Sequence, residues 1–166
     1  MRRIALLAVV VAGFACGSSD NQTQTFNASP MKQSNEPTAL QAKPAPNATG
    51  SAAVQIVGKT LTYSLRGTGL TSQPSVAHIH LIPTATAPAQ GPVIVTFKVL
   101  NTGATASTNS ITVDDVVTNP PDATAKNLDG TPMTFDQLVQ HIQNGETYVN
   151  IHTANNPGGE IRADLH

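Results

Sequence analysis

Tyr148-Val149-Asn150-Ile151-His152-Thr153, then Ala154-Asn155-Asn156-Pro157-Gly158-Gly159, then Glu160-Ile161-Arg162-Ala163-Asp164-Leu165 reads as strand, turn and strand. Alternate residues of a strand share a face. Val149 and Ile151 therefore turn to the core, and Asn150 and His152 turn outward. In the second strand Ile161, Ala163 and Leu165 are the core set, and Glu160, Arg162 and Asp164 face out. Directly paired residues share a face, so His152 is expected opposite Glu160 or Arg162 and never opposite Ile161. Gly158 and Gly159 suit backbone conformations that only glycine tolerates well, and Asn150 is placed to order the turn.

Upstream, Val76-Ala77-His78-Ile79-His80-Leu81-Ile82 is a third strand of the same kind. Ala77, Ile79 and Leu81 take the core face. His78 and His80 project together from the other, about 6.5–7 Å apart at Cα. Further strands are expected at Val54–Val57, Leu61–Leu65, Pro92–Leu100 and Ser110–Val113. Asn119 to Pro132 reads as a long loop. One helix is expected: Thr134 and Gln137 are in capping-box register, Phe135, Leu138, Val139 and Ile142 form one stripe, and Asn144-Gly145 ends it. Short strands at this spacing predict a mainly β protein, an antiparallel β-sandwich of Greek-key or Cu/Zn superoxide dismutase-like type, with one short helix.

Composition narrows the function. The net charge is −1 and 11% of residues are charged, so there is no basic stripe and nucleic acid is not an expected partner. Arg2-Arg3 followed by the apolar run Ile4 to Ala15 reads as an export signal too short to span a bilayer. The run ends at Gly13-Phe14-Ala15-Cys16, which resembles a bacterial lipobox, where the cysteine is lipidated and becomes the mature N-terminus. Residues 1–15 are therefore expected to be a lipoprotein signal peptide. Residues 16–52, polar and Pro-rich, are expected to be lipidated Cys16 and a disordered tether, and 53–166 the folded domain. The membrane is the expected partner through that lipid. The expected location is the cell envelope, at the periplasmic face of the outer membrane or the cell surface. Cys16 is the single cysteine, so no intramolecular disulfide can form.

Ala77-His78-Ile79-His80, the helix ending Asn144-Gly145, and the block from Tyr148 to Thr153 with Pro157-Gly158-Gly159-Glu160-Ile161-Arg162 closely resemble the CHRD (chordin-type) domain. The resemblance covers about Val54 to Leu165. It implies a secreted or envelope-attached β-sandwich, as in chordin and many bacterial lipoproteins, and brings no general catalytic activity.

If the His-x-His strand lies beside the hairpin, His78, His80 and His152 meet on one outer face near Glu160. Three imidazoles suit copper or zinc, with Glu160 and Asn150 as outer-shell partners that orient the rings. The His-x-His strand has a parallel in the copper site of Cu/Zn superoxide dismutase, by analogy alone. The competing reading is a non-catalytic structural or protein-binding envelope module without metal, in which the histidines bond to loops and water and Glu160 and Arg162 form ordinary ion pairs. Its partner would be an unknown envelope or extracellular protein. His141 reads as solvated, and His166 as terminal and frayed, about 20 Å along the sheet from His152. Asp114-Asp115 and Asn127 to Gly130 do not match an EF-hand loop, and turn chemistry accounts for them. No serine nucleophile, phosphate loop or cysteine-based catalytic motif is present.

Overall fold

The structure is a computed structural model that describes residues 22–83, 90–99 and 109–166. Eight strands and one helix follow in the order β1 (Gln24–Lys32), β2 (Thr49–Val57), β3 (Thr60–Thr68), β4 (Pro74–Leu81), β5 (Val93–Phe97), β6 (Ile111–Thr118), α1 (Phe135–Gln143), β7 (Thr147–Thr153) and β8 (Ile161–Leu165). All pairings are antiparallel, and they form one sheet ordered β5-β4-β7-β8-β1-β2-β3-β6. The mainly β architecture with one helix is as expected.

The two layers belong to a single sheet that curls back on itself. Tyr63 of β3 stacks on Phe97 of β5 with ring centroids 4.1 Å apart. Its hydroxyl donates to the Lys98 carbonyl at 3.0 Å and accepts from the Lys98 amide at 2.9 Å. Ile151 and Ile161, on β7 and β8, pack against the backbone at Gly67 and Gly50, on β3 and β2. Ala77, Ile79, Leu81, Val149, Ile151, Ile161 and Leu165 are all buried between the layers, as the period-2 pattern requires.

The helix follows its sequence signals. Thr134 accepts from the Gln137 amide, and the Gln137 side chain reaches back to complete the capping box. Leu138 and Ile142 are buried, with Phe135 and Val139 packed beside them. Gly145, at φ 69°, supplies the left-handed residue that ends it.

The domain boundary is corrected. The expected tether over 16–52 gives way to ordered structure from Gln24 onward, because β1 sits in mid-sheet between β2 and β8. Phe26, Ala28 and Met31 of β1 are buried in the core. The strand escapes a sequence reading because Asn27, Ser29 and Pro30 interrupt it, and its pairing with β2 shifts register between Ala28 and Met31. Proline is tolerated at such an irregularity. Residues 33–48 then form a strap with two 3-10 turns, Gln33–Asn35 and Thr38–Leu40. Gln33 pins it, its Nε2 donating to the Lys43 carbonyl and its Oε1 accepting from the Ala45 amide, both at 2.6 Å. The Lys43 amide donates to Asn156 Oδ1 at 2.8 Å, and Asn35 Nδ2 to the Arg162 carbonyl at 2.8 Å, which ties the strap over β8 and its turn. The expected signal peptide and Cys16 lie outside the described residues.

Candidate metal centre

The order β4-β7-β8 places His-x-His beside the hairpin. His78 pairs with Asn150 and His80 with Tyr148, while Val76 pairs with His152. The β7–β8 register runs through Asn150↔Arg162 to Ile151↔Ile161 and ends there, with the Glu160 amide donating to the Ile151 carbonyl at 2.8 Å, so the expected pairing of His152 with Glu160 or Arg162 does not form. The three imidazoles converge: one ring nitrogen from each lies within 4.8 Å of the other two.

The expectation of a surface cluster is corrected. His80 is 0% and His152 4% exposed. The strap, the 155–159 turn and the segment at Gln90–Pro92 cover this face, so burial lowers the pKa of all three rings. His78 and His80 fall to about 4, chiefly through desolvation, with mutual repulsion among the rings adding to it. His152 is lowered by the same desolvation. All three are neutral at neutral pH, the state in which imidazole binds metal.

Backbone carbonyls set the tautomers. His80 Nδ1 lies 2.7 Å from the Gly91 carbonyl and His152 Nδ1 lies 2.9 Å from the Pro157 carbonyl. A carbonyl only accepts, so each Nδ1 carries the proton and each Nε2 keeps its lone pair. A metal-ligating histidine is ordinarily oriented in this way, with its other ring N–H given to a carbonyl or carboxylate. His152 Nε2 accepts from His78 Nδ1 at 3.1 Å, with Gln90 Nε2 at 3.4 Å. His80 Nε2 is buried and has no hydrogen-bond partner. The 3.1 Å between His78 and His152 is near the roughly 3.3 Å that separates two nitrogens bound tetrahedrally at zinc distances.

Two carbonyls thus hold the rings where a carboxylate was expected. Glu160 is not beside the histidines. Its carboxylate accepts from the Thr71 amide at 2.6 Å, the Thr71 hydroxyl at 2.7 Å and Asn156 Nδ2 at 3.2 Å, and also from the Thr153 hydroxyl. It holds the turn that presents the Pro157 carbonyl, so its effect on His152 runs through the backbone. Asn150 does sit among the histidines, fully buried, with neither amide atom hydrogen-bonded. Arg162 faces out as expected, and its salt bridge is a 3.9 Å contact with Asp164. It caps the Tyr148 ring at 3.7 Å, and Tyr148 in turn stacks on His80 with centroids 4.9 Å apart. Gly159 is at φ 123°, and a side chain there would run into Glu36. The Gly158 carbonyl accepts from Gln90 Nε2 at 3.3 Å.

Among residues the pattern did not single out, Tyr148 shares the outer-face register of Asn150 and His152, so its place was readable. Asp122, bound to the Thr96 hydroxyl at 2.7 Å, acts on His78 electrostatically from a loop. Gly91 fits because its backbone runs against the Leu81 carbonyl, leaving no room for a Cβ. His141 lies off the buried stripe, partly exposed, and its ring nitrogens meet Glu146 at 2.7 Å and Asn127 at 3.1 Å. His166 is not frayed, since its backbone pairs with Asn27 at 2.7 and 3.1 Å. Asp114 pairs with Arg66 at 2.8 Å, and Asp129 bonds within its own turn to Thr131.

The CHRD domain family model matches residues 28–165, which takes in the second half of β1, the strap and every element of the candidate centre. The chain belongs to the CHRD domain family. The family match begins inside β1, in agreement with the corrected boundary. No curated protein and no solved structure matches the chain, so the superoxide dismutase parallel carries no argument about this CHRD domain.

Proposed function

We propose that this CHRD-domain protein is a metal-binding module of the cell envelope, holding one copper or zinc ion through His78, His80 and His152. The observation that supports it is the buried, unpartnered Nε2 of His80. The Gly91 carbonyl aims it and leaves its lone pair free, and the Pro157 carbonyl aims His152 Nε2 towards the same cluster. An orphaned polar atom in a buried site calls for a partner. Three neutral imidazoles offer a borderline donor set that suits Cu(II) and Zn(II) and disfavours hard cations such as calcium. Anchoring by a lipid on Cys16 supports the envelope location, because that cysteine stands where the apolar run of an export signal stops.

Calorimetric titration of the full chain, purified in mild detergent, with Cu(II) and Zn(II) at neutral pH tests the reading. One-to-one binding is expected, and it is lost in the His78→Ala/His80→Ala variant. A folded wild-type protein that binds neither ion returns the site to the alternative, a structural or protein-binding module. The His78–His152 hydrogen bond at 3.1 Å is what favours that alternative, since it satisfies two of the three rings without a metal.

A further inference from the structure

Glu36 is the second unexplained group on this face. It is carried over β7 and β8 by the strap, and it is 3% exposed. Neither of its carboxyl oxygens has a hydrogen-bond partner. Asn150 beside it is fully buried with both amide atoms equally unpartnered. Asn150 is the cross-strand neighbour of His78 on one side and of Arg162 on the other. It interacts with Glu36 and with His80 without closing a hydrogen bond to either. The outer face therefore carries a continuous string of polar groups, Glu36, Asn150 and His80, that ends at the unpartnered Nε2. Buried polar atoms without partners are rare in native proteins. Here they are contiguous and lie on one side of the imidazole cluster.

A divalent cation on three neutral imidazoles brings two uncompensated positive charges into a buried site. The groups around Glu36 define what can balance them. Arg162 of β8 is cationic, lies over the Tyr148 ring and reaches the exposed Asp164 at 3.9 Å. Tyr148 of β7 spends its hydroxyl on the Gly91 amide at 3.1 Å. Asp122, bonded to Thr96 of β5 opposite His78, acts on that ring from the β5 side. Glu36 is the buried carboxyl linked to the ligands through Asn150. Resting on the metal-binding reading, we infer that Glu36 is the charge-balancing carboxyl of the histidine centre, ionising as the cation enters and communicating with it through Asn150. The bond changes are simple: the Glu36 O–H gives its proton to solvent, and no electron moves. Burial raises the Glu36 pKa to about 7, opposed by Arg162 and by Asn150, so the carboxyl holds a proton to give in mildly acidic solution.

The test is zinc titration of the full chain at about pH 6 in two buffers of different ionisation heat, which counts the protons released. His78 and His80 are already neutral there, and all three histidines are unchanged in the Glu36 variants. About one proton per zinc is expected from the wild type. Glu36→Gln, isosteric and neutral, is expected to release none and to bind zinc about tenfold more weakly. Glu36→Asp keeps the charge and is expected to retain proton release, which guards against a Glu36→Gln chain that fails to fold. Zinc binding by Glu36→Gln with the wild-type affinity and proton count overturns the inference while leaving the histidine site standing. A wild type that binds no zinc overturns both.

Discussion

Two buried carboxylates lie beside Gly159, Glu160 as its chain neighbour and Glu36 against it from the strap, and they are held in different ways. Glu160 is 0% exposed and accepts from Thr71, Thr153 and Asn156. Glu36 is 3% exposed and accepts from nothing. The first region is a closed network, in which every donor is used and the loop after β3 is fastened to the β7–β8 turn. The second is an open one, where Glu36, Asn150 and His80 Nε2 lie together without partners. A satisfied buried polar group is architecture. An unsatisfied set beside convergent ligands is where a protein has kept room for something else.

The largest effect that tests this contrast is on stability. Glu160→Ala strands the Thr71 amide, two hydroxyls and the Asn156 amide, and is expected to cost about 3 kcal/mol in urea unfolding. Glu36→Gln removes a buried carboxyl that nothing solvates, so it is expected to lie within about 1 kcal/mol of wild type or to be more stable. Equal losses for the two substitutions would erase the distinction between a network that builds the fold and one that serves a site.

The next effect is on pH dependence, where the two kinds of buried group pull in opposite directions. His78 and His80 have pKa values lowered from 6.5 to about 4 in the folded state. The unfolded chain binds the extra protons, so stability is full above pH 6.5 and falls as pH drops towards 4. Glu36 is raised from 4.5 to about 7, so its contribution has the other sign: stability is greatest below pH 4.5 and is lost as pH rises through 7. Each proton is worth about 1.4 kcal/mol per pH unit. Between pH 5 and 6 the histidines, with His152 adding to them, outnumber the single carboxyl. The expected net slope is a gain of about 1 to 2 kcal/mol per pH unit with rising pH. Glu36→Gln removes the opposing group and is expected to steepen it by about 1 kcal/mol per unit. Asp114 and Asp129 are held below 3.8 and act outside this window. Urea midpoints at intervals across the range read the slope directly, and an unchanged slope in Glu36→Gln would place the Glu36 proton elsewhere.

The inner face of the sheet was legible and the outer face was legible only in part, and the reason is the same for both. Ala77, Ile79, Val149, Ile151 and Ile161 announce their face by alternation, and register follows from it. Alternation also puts His78, His80, Asn150 and His152 together, so the convergence of the ligands was readable. What alternation cannot say is whether the opposite face is wet. The strap from Gln33 to Ala48 makes it dry, and the strap has no periodicity to read, being held by single side chains such as Gln33 and Asn35. Glu36 therefore looked like part of a tether. The misplacement of Glu160 has a different cause. Strand parity put it on the outer face, but it stands one residue before β8, where the chain leaves the ladder and its side chain is free to turn towards Thr71.

The smallest effect concerns the scaffold that aims His80. Its Nδ1 proton goes to the Gly91 carbonyl, and Gly91 is itself held by its amide, which donates to the Tyr148 hydroxyl at 3.1 Å. Tyr148 thus supports His80 twice, by stacking on its ring and by fixing the peptide that selects its tautomer. Tyr148→Phe keeps the stack and the Arg162 contact and removes the hydroxyl alone. The expected cost is about 1 kcal/mol, the value of one hydrogen bond to a buried amide. The Gly91 amide is expected to exchange its hydrogen faster, with the β4–β7 ladder amides unchanged, because the lost bond lies outside the sheet. If the ladder amides quickened equally, the hydroxyl would be supporting the sheet as a whole. An effect confined to Gly91 ties Tyr148 to the aim of one histidine, which is the part of the polar face that a closed network such as that around Glu160 does not need.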